Sequence, residues 1–233
     1  MPSAKDKGAV NNAHALPHPP AGLNKKTDRM PHFPSAVIRR LALYGRVLQI
    51  LENNRTEKIS SKALAEHMGI NSAQVRTDLA YFGQFGVPGY GYHVRSLRAN
   101  LKRVLGTDRQ LRLALIGAGN LGMALMTYGG FSRQGVRIVM GFDVDRRKAG
   151  SLRNGIPIYH VDDLEKRLRR DLVDIVALTV PSDAAQPLAD RVGQTGVSAI
   201  LNFVPCRLMA PPGVRIHDVD LTIEIECLSF YIK

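Results

Sequence analysis

The feature that most restricts the fold of this chain is a glycine-rich segment between a predicted strand and a predicted helix. The apolar run Leu-Arg-Leu-Ala-Leu-Ile at 111–116 leads directly into Gly117-Ala118-Gly119-Asn120-Leu121-Gly122. In such a G-x-G-x-x-G pattern the first glycine permits a tight turn, the second lets the backbone approach a pyrophosphate, and the third lets helix and strand pack closely. The free N–H groups and the positive dipole end of the following helix favour phosphate. The pattern therefore predicts a dinucleotide-binding α/β module with these six residues at the cofactor.

An acidic residue follows the glycine-rich segment at the distance typical of a ribose contact. Asp143 lies 21 residues after Gly122, at the end of the next predicted strand. A carboxylate at this place accepts hydrogen bonds from ribose hydroxyls and repels a 2′-phosphate, which favours NAD over NADP. The alternative interpretation is a glycine-bearing turn beside a solvated Asp143, with no ligand.

Further α/β units follow along the chain. Residues 156–160, 174–180 and 197–204 have the pattern of buried strands separated by helices. This alternation predicts a Rossmann-like parallel sheet over residues 107–219. Ligands bind at the carboxyl ends of the strands in such a sheet. We therefore expect the nicotinamide half of the cofactor to lie near Thr179, Val180, Pro181 and Asn202.

The chain lacks the usual equipment of a dehydrogenase. Only residues 205–233 follow the last predicted strand, too few for a substrate domain, and no His-Asp or Lys pair suggests a catalytic residue. Cys206 and Cys227 lie 21 residues apart without further ligands, which disfavours a metal site and a disulfide framework. No apolar run approaches the roughly 18 residues of a membrane span. We therefore expect a cytoplasmic protein that is not an enzyme and binds no metal.

Positive charge is concentrated upstream of the glycine-rich segment. The formal net charge is +12, and residues 36–106 hold eleven Lys and Arg against four Asp and Glu, whereas residues 107–233 hold sixteen against fourteen. This asymmetry predicts a module for a polyanion joined to a module with another task. Residues 1–34 contain six of the 13 prolines and no periodic pattern, so we expect a disordered basic tail.

Residues 35–106 have the pattern of a helix-turn-helix module. A helix beginning near Ser35 is followed by a short helix after Ser60 that stops at Gly69, and by a third helix from Asn71. The third helix has one apolar face, and its other face carries small polar groups, an amide and a guanidinium. Such side chains contact base edges and phosphates in a major groove. This polar face consists of Ser72, Ala73, Gln74, Arg76 and Thr77.

Four glycines alternate with aromatic residues between Phe82 and Val94. Their intervals suit a hairpin, and a hairpin after a recognition helix is a wing that lies against the phosphate backbone or enters a minor groove. The prediction is an all-α winged-helix DNA-binding domain. The alternative is a three-helix module for protein contact, in which Gln74 and Arg76 are merely solvated.

The last segment, residues 220–233, is too apolar to stay solvated. Residues 222–226 alternate like a strand, while Leu221, Ile225 and Leu228 suit one face of a helix. The segment must pack on something, and a second subunit is one candidate.

Together these motifs resemble the Rex family of redox-sensing transcriptional repressors over about residues 34–231. The resemblance rests on the following stretches: Ile59-Ser60-Ser61, Ser72-Ala73-Gln74-Val75-Arg76-Thr77-Asp78-Leu79, Tyr81-Phe82-Gly83-Gln84-Phe85-Gly86, Gly89-Tyr90-Gly91-Tyr92, Gly117 to Gly122, Phe142-Asp143-Val144-Asp145, Leu178-Thr179-Val180-Pro181 and Ile200-Leu201-Asn202-Phe203.

The resemblance implies a homodimer in which residues 220–233 form a helix exchanged between subunits. It implies a repressor that binds palindromic operators in double-stranded DNA when NADH is scarce and dissociates when NADH binds, so that NADH and NAD+ are the sensed ligands. By motif position it implies an interdomain switch of Arg46, Tyr128 and Asp220. It also adds Tyr128 to the cofactor contacts, and the following residues to the DNA contacts: Ser61, Tyr81, Gly89 and Tyr90.

The chain departs from the family pattern at several places. Thr77 stands where the family usually has Lys, Val87-Pro88 replaces a wing pair that usually contains Arg, and Leu221 stands where an aromatic residue is sometimes found. The first two departures remove phosphate contacts. Two rival classes remain: a small NAD-dependent dehydrogenase with a fused DNA-binding domain, and a CoA- or nucleotide-binding scaffold of the same fold that binds no DNA.

Overall fold

The computed structural model describes residues 33–87 and 89–232. The chain separates into two compact units, with the boundary in the sequence between Leu105 and Gly106. The predicted tail, apart from residues 33 and 34, lies outside the described residues. Within the described part, no helix is both long and apolar enough to cross a membrane.

The N-terminal unit is a small helical domain with one short two-stranded sheet. In chain order its elements are α1 (Ser35–Asn53), β1 (Lys58–Ile59), α2 (Ser61–Met68), α3 (Ser72–Ala80), β2 (Tyr92–His93) and α4 (Val94–Val104). The Ser60 hydroxyl accepts a hydrogen bond from the Ala63 N–H and caps α2, and Gly69 ends that helix with a φ of 63°. The Asn71 side chain caps α3 by accepting from the Ala73 N–H. The predicted helix-turn-helix is therefore present.

Helix α1 begins at Ser35 itself, one residue earlier than a Ser35 cap would give, because Pro34 is the capping residue; none of the described side chains makes a capping hydrogen bond to it. The core of this unit joins all four helices around apolar side chains. Its fully buried members include Leu41, Tyr44, Leu48, Leu64, Val75, Leu97 and Leu101.

The wing differs from the predicted hairpin. In the described part of this segment, residues 82–87 and 89–94, Val87 and Gly91 form an isolated antiparallel bridge and the segment has no two-stranded ladder of its own. Strand β2 pairs instead with β1, which precedes α2, with Ile59 opposite Tyr92. Gly91 makes this close pairing possible: its φ is +78°, and a Cβ there would lie 2.5 Å from the Ile59 carbonyl oxygen. The wing is thus a tight loop anchored on a distant strand.

The C-terminal unit is a seven-stranded sheet flanked by helices. The strands are β3 (Leu111–Ile116), β4 (Val136–Asp143), β5 (Leu152–Arg153), β6 (Ile156–His160), β7 (Ile175–Leu178), β8 (Ala199–Asn202) and β9 (Arg215–Asp218). The helices are α5 (Asn120–Thr127), α6 (Gly130–Arg133), α7 (Leu164–Arg170), α8 (Ser182–Gly193) and α9 (Leu221–Ser229).

The strand order is β5-β6-β4-β3-β7-β8-β9, and every pair is parallel except β5 with β6. Without the edge strand β5 this is the doubly wound order of dinucleotide-binding folds, whose ligand crevice lies where the order reverses, between β3 and β7. The predicted Rossmann-like parallel sheet is confirmed. The sheet core includes the buried side chains of Ala114, Ile116, Phe142, Val176, Leu178 and Ile200.

The segment of residues 220–233 is helical over Leu221–Ser229, which settles the choice between strand and helix. Asp220 caps this helix by accepting a hydrogen bond from the Thr222 N–H. The large apolar side chains of residues 221–232 are exposed to solvent within this single chain, with exposed fractions of 54% to 84%. They are Leu221, Ile223, Ile225, Leu228, Phe230, Tyr231 and Ile232.

Candidate functional sites

The glycine-rich turn lies between the carboxyl end of β3 and the start of α5. Gly117 has a φ of +100°, and a Cβ there would lie 2.3 Å from the Thr179 carbonyl oxygen. A Cβ on Gly122 would lie 2.0 Å from the Gly117 carbonyl oxygen. At Gly119 none of the described atoms comes within 4 Å of a Cβ position. Two glycines are therefore required by packing, and the third leaves the backbone open on the side where a pyrophosphate would approach.

Thr179, at the end of β7, holds this turn in place. Its hydroxyl donates to the carbonyl oxygens of Gly117, at 2.7 Å, and Ile116, at 3.2 Å. The predicted neighbours Val180 and Pro181 follow it directly, and Pro181 is the capping residue of α8. Ser182 is the first residue inside that helix. The loop after β7 is thus brought against the glycine-rich turn.

Asp143 lies at the end of β4 and is almost wholly buried. Its Oδ2 accepts hydrogen bonds from the Ala118 N–H and the Lys148 ammonium, both at 2.9 Å, and its Oδ1 accepts one from the Asp145 N–H. Burial by itself raises the pKa of this carboxyl, but the hydrogen bonds from Asp145, Lys148 and Ala118 hold the pKa below its ordinary value. Asp143 is therefore an ionised carboxylate, and the described residues leave one lone pair on its Oδ1 unused.

Lys148 is a site residue that the sequence reasoning missed. Its ammonium also donates to the Ala118 carbonyl oxygen at 3.1 Å. Ala118 is thus held at its N–H by Asp143 and at its carbonyl by Lys148, which ties the glycine-rich turn to the end of β4. The only signal was a lysine five residues after the acidic residue.

One predicted cofactor residue, Asn202, lies where a direct side-chain contact is unfavourable. Asn202 is fully buried, and its amide donates to the carbonyl oxygens of Val204 and Cys206 and to the Asp218 carboxylate. Its oxygen accepts from the Val204 N–H. This side chain holds the loop after β8 and has no accessible polar group for a ligand. Tyr128 follows the last residue of α5, about 12 Å along the helix from the glycine-rich turn.

In the N-terminal unit, the exposed face of α3 carries the predicted DNA contacts. Ala73, Gln74, Arg76 and Thr77 are exposed and Ser72 is half-buried. The Arg76 guanidinium donates to the hydroxyls of Ser61, at 3.2 Å, and Ser72, at 3.4 Å. The Thr77 hydroxyl donates back to the Ala73 carbonyl oxygen. Arg76 is thereby placed where the starts of α2 and α3 meet.

A cavity of about 580 Å³ separates α3 from the wing. It is lined by Ser61 and Arg76 on one side and by Gly89 and Gly91 on the other. Tyr90, at the tip of the wing, is exposed, and the Lys58 ammonium lies 6.0 Å from its ring centre. Tyr81 is exposed at the end of α3, with its ring edge-to-face on Phe33 at 6.5 Å. Three of the DNA candidates, Ser61, Arg76 and Gly89, therefore line the same cavity of this unit.

On its inner side, α3 is held by a fully buried carboxylate. Asp78 accepts hydrogen bonds from the Arg40 Nε, at 2.6 Å, and Nη2, at 2.8 Å, and from the Tyr44 hydroxyl at 2.8 Å. It also accepts one from the Gln74 amide nitrogen at 2.8 Å. Burial raises the pKa of Asp78, but the hydrogen bonds from Arg40, Tyr44 and Gln74 hold it below the ordinary value. Burial and the hydrogen bond to Asp78 raise the pKa of Tyr44.

The three predicted switch residues belong to different units. Arg46 is exposed on α1 of the N-terminal unit, while Tyr128 and Asp220 belong to the C-terminal unit. Tyr128 packs edge-to-face on Phe131, with ring centres 5.3 Å apart. Among the residues described, no group of three His, Cys, Asp or Glu side chains is arranged to hold a metal ion.

In comparisons with known protein families, each of the two units matches a different family. Residues 32–80 match the family described as putative DNA-binding protein N-terminus, and residues 108–206 match the CoA binding domain. A redox-sensing transcriptional repressor Rex from Listeria welshimeri is 42% identical over 200 residues, which cover 86% of this chain and 93% of the relative. The repressor Rex from Geobacillus kaustophilus is 41% identical over 207 residues, covering 89% and 97%.

Two solved structures are similar to this chain over most of its length. The crystal structure of RSP in complex with beta-NAD+ and operator DNA superposes with a TM-score of 0.82 at 38% identity, covering 87% of this chain and 94% of that one. The complex of RSP with beta-NADH superposes with a TM-score of 0.78 at 36% identity, covering 87% and 95%.

A winged-helix unit with an exposed polar recognition helix, followed by a doubly wound unit with a glycine-rich dinucleotide turn, defines a ligand-responsive transcriptional regulator. This chain belongs to the Rex family of redox-sensing transcriptional repressors. The predicted resemblance is confirmed. The relatives are repressors and not enzymes, so the dehydrogenase alternative is excluded, as is the scaffold that binds no DNA.

Proposed function

We propose that this chain is a DNA-binding repressor that senses the NADH/NAD+ ratio in the cytoplasm. It binds palindromic operators when NADH is scarce and dissociates when NADH binds. The observation that carries this proposal is that one chain holds both a recognition helix with an exposed polar face and a glycine-rich turn closed by Asp143. The RSP complexes with beta-NAD+ and operator DNA, and with beta-NADH, support the same pair of ligands.

The dinucleotide binds across the glycine-rich turn in this proposal. The open side of Gly119 admits the pyrophosphate, and the first N–H groups of α5, at Asn120 and Leu121, donate to it. The unused lone pair of Asp143 accepts from an adenosine ribose hydroxyl. Thr179, Val180 and Pro181 border the nicotinamide half, while Asn202 supports the adjacent loop from behind.

The DNA contacts in this proposal come from α3 and the wing. A recognition helix places its N-terminal residues on base edges in the major groove. Here those residues are Ser72, Ala73 and Gln74, and Arg76 and Thr77 follow on the same exposed face. Ser61, Tyr81, Gly89 and Tyr90 flank this face and contact the phosphate backbone.

The repressor acts as a homodimer in this proposal. The exposed apolar surface of α9 supports an exchange of this helix between subunits, because a nine-residue helix with these side chains in water is not stable by itself. A two-fold dimer presents two recognition helices, which matches a palindromic operator. Arg46, Tyr128 and Asp220 exchange partners between the DNA-bound and NADH-bound states.

The mechanism is a two-state linkage. NADH prefers the state that DNA disfavours, so each ligand weakens the other by the same factor, roughly 5- to 150-fold for a coupling of about 1–3 kcal/mol. The test is a gel-shift titration of operator fragments, obtained by selection from genomic DNA, with NADH and with NAD+. We expect NADH to release the DNA at concentrations where NAD+ does not. Equal operator affinity at saturation with either nucleotide contradicts the mechanism.

A further inference from the structure

The buried carboxylate of Asp78 restricts what the recognition helix can read. A carboxylate has about four lone-pair sites. In Asp78 all four are used, by two nitrogens of Arg40, the hydroxyl of Tyr44 and the amide nitrogen of Gln74. Because an ionised carboxylate only accepts hydrogen bonds, Gln74 must turn its amide nitrogen, and not its oxygen, towards Asp78.

This contact leaves Gln74 with a defined set of groups for DNA. Gln74 is the third residue of α3 and is exposed, so its side chain borders both the inner carboxylate and the groove-facing surface. One of its two amide hydrogens is committed to Asp78. The oxygen Oε1 and the second amide hydrogen remain, which is one acceptor and one donor.

The base edges of the major groove differ in what they can offer to such a pair. Guanine presents two acceptors, N7 and O6, and requires two donors, whereas adenine presents one acceptor, N7, and one donor, the N6 amino group. One acceptor and one donor complement adenine and not guanine. A rotation of Gln74 that frees its second hydrogen leaves a buried charge short of a hydrogen bond, which is unfavourable.

We propose that Gln74 reads an adenine in each operator half-site and that Asp78 is the positioning residue that determines this preference. The proposal rests on the proposed binding of DNA through α3. Arg40 and Tyr44 act only by holding the carboxylate. Asp78 itself is buried on the inner side of α3 and does not touch the DNA.

The test is selection from a double-stranded library with two randomised half-sites, using the full-length protein without NADH. We expect the wild type to enrich an A·T pair at one symmetric position, and Gln74→Ala to lose that preference, roughly 5- to 150-fold, at that position alone. Circular dichroism checks that this variant folds, because Asp78 keeps only three of its four hydrogen bonds. If the position lost by Gln74→Ala carries a G·C pair, the proposal is overturned.

A second variant tests the role of Asp78. The double replacement Arg40→Met with Asp78→Leu removes both charges together and leaves no unpaired buried charge. We expect the adenine preference to relax at the position identified with Gln74→Ala, while other positions keep theirs. Tyr44→Phe is the matched control, because it removes one hydrogen bond from Asp78 and leaves the Gln74 contact in place. Unchanged adenine preference in the double variant overturns the role of Asp78.

The outcomes separate this proposal from the proposed function. If the wild type enriches a sequence but Gln74→Ala enriches the same sequence, the DNA-binding function stands and the proposed reading falls. If the wild type enriches no sequence, both fall.

Discussion

The ammonium group of Lys148 lies 2.9 Å from Oδ2 of Asp143, the carboxylate that closes the dinucleotide turn. The same ammonium holds the carbonyl of Ala118, so one side chain joins the acidic residue and the glycine-rich segment. The charge of Asp143 is thereby compensated inside the site, and the position of the turn depends on a residue outside the G-x-G-x-x-G pattern.

Replacing Lys148 by Met removes both hydrogen bonds. We expect the affinity for NADH to fall about tenfold, since a hydrogen bond to a charged group contributes about 1.5–3 kcal/mol and the site is partly exposed. Titration of NADH fluorescence measures the change. Arg147→Met is the matched control, because the Arg147 guanidinium pairs with Asp145 at the surface and does not reach Asp143. Equal NADH affinity in the Lys148 variant and the wild type refutes the structural role.

Gly119 and Gly122 have different roles: Gly119 leaves room for the ligand, and Gly122 is required by packing. Gly119→Ala adds a Cβ that meets none of the described atoms within 4 Å, so we expect an unchanged melting temperature and a NADH affinity lowered by at least tenfold. Gly122→Ala places a Cβ 2.0 Å from the Gly117 carbonyl, so we expect destabilisation by at least about 1–3 kcal/mol. Thermal unfolding and NADH titration of both variants check this. A destabilised Gly119 variant with normal NADH binding contradicts the assignment.

The Asp78 cluster predicts a pH dependence of stability. Hydrogen bonds hold the folded pKa of Asp78 below the ordinary value of 3.8, so the stabilisation is complete well above pH 3.8 and is lost as the pH falls through the folded pKa. At pH 7, Arg40→Met leaves the buried charge of Asp78 without its ion-pair partner. We expect this to lower the free energy of unfolding by about 3 kcal/mol. The difference in the free energy of unfolding between the wild type and Arg40→Met becomes smaller below pH 3.8, because protonation of Asp78 removes the buried charge from both proteins.

Urea unfolding followed by circular dichroism at pH 7 and at pH 3 measures this difference. Arg39→Met, on the exposed side of α1, is the control and leaves the stability unchanged at both pH values. A difference between the wild type and Arg40→Met that stays constant with pH argues against an ionised Asp78 in the cluster.

The exposed apolar surface of α9 predicts a dimer that depends on it. We expect Ile225→Asp combined with Leu228→Asp to give a monomer in sedimentation equilibrium, because charged groups cannot be buried unpaired in an interface. Operator affinity should fall by about 100-fold or more, since one recognition helix then binds without its partner. Glu226→Gln, on the same helix, keeps the dimer. A dimeric Asp variant shows that α9 is not the contact.

Much of the C-terminal fold could be predicted because its strands are local and apolar. The limits 111–116 and 156–160 were predicted to the residue, since short and mostly apolar runs bounded by turns indicate strands. The edge strand β5 was missed, although Asn154-Gly155, with φ of 49° and 75°, is a strong hairpin signal. Strand β9, Arg-Ile-His-Asp, was missed because four mostly polar residues at a sheet edge have no pattern.

The candidate sites were predicted as far as their residues follow one another in the chain. The glycine-rich turn and the polar face of α3 are such local patterns. The sequence did not predict the roles of Lys148 and Asp78 or the pairing of the wing with β1. These features involve contacts between residues that are distant in the chain or side chains that face inwards. Asn202 has the right position along its strand for a ligand contact, but its amide is used by Val204, Cys206 and Asp218. Only the packing of the following loop could show this.

The sequence by itself determined the order of two modules, the glycine-rich turn and the exposed residues of the recognition helix, because periodicity and turn chemistry act over a few residues. The tertiary structure alone decided which polar groups remain available for a ligand. Hydrogen bonds to other residues occupy donors and acceptors that a ligand could otherwise use. Asp78 occupies one amide hydrogen of Gln74, and Lys148 occupies one lone pair of Asp143. A motif therefore identifies the ligand, while the long-range contacts determine which atoms meet it.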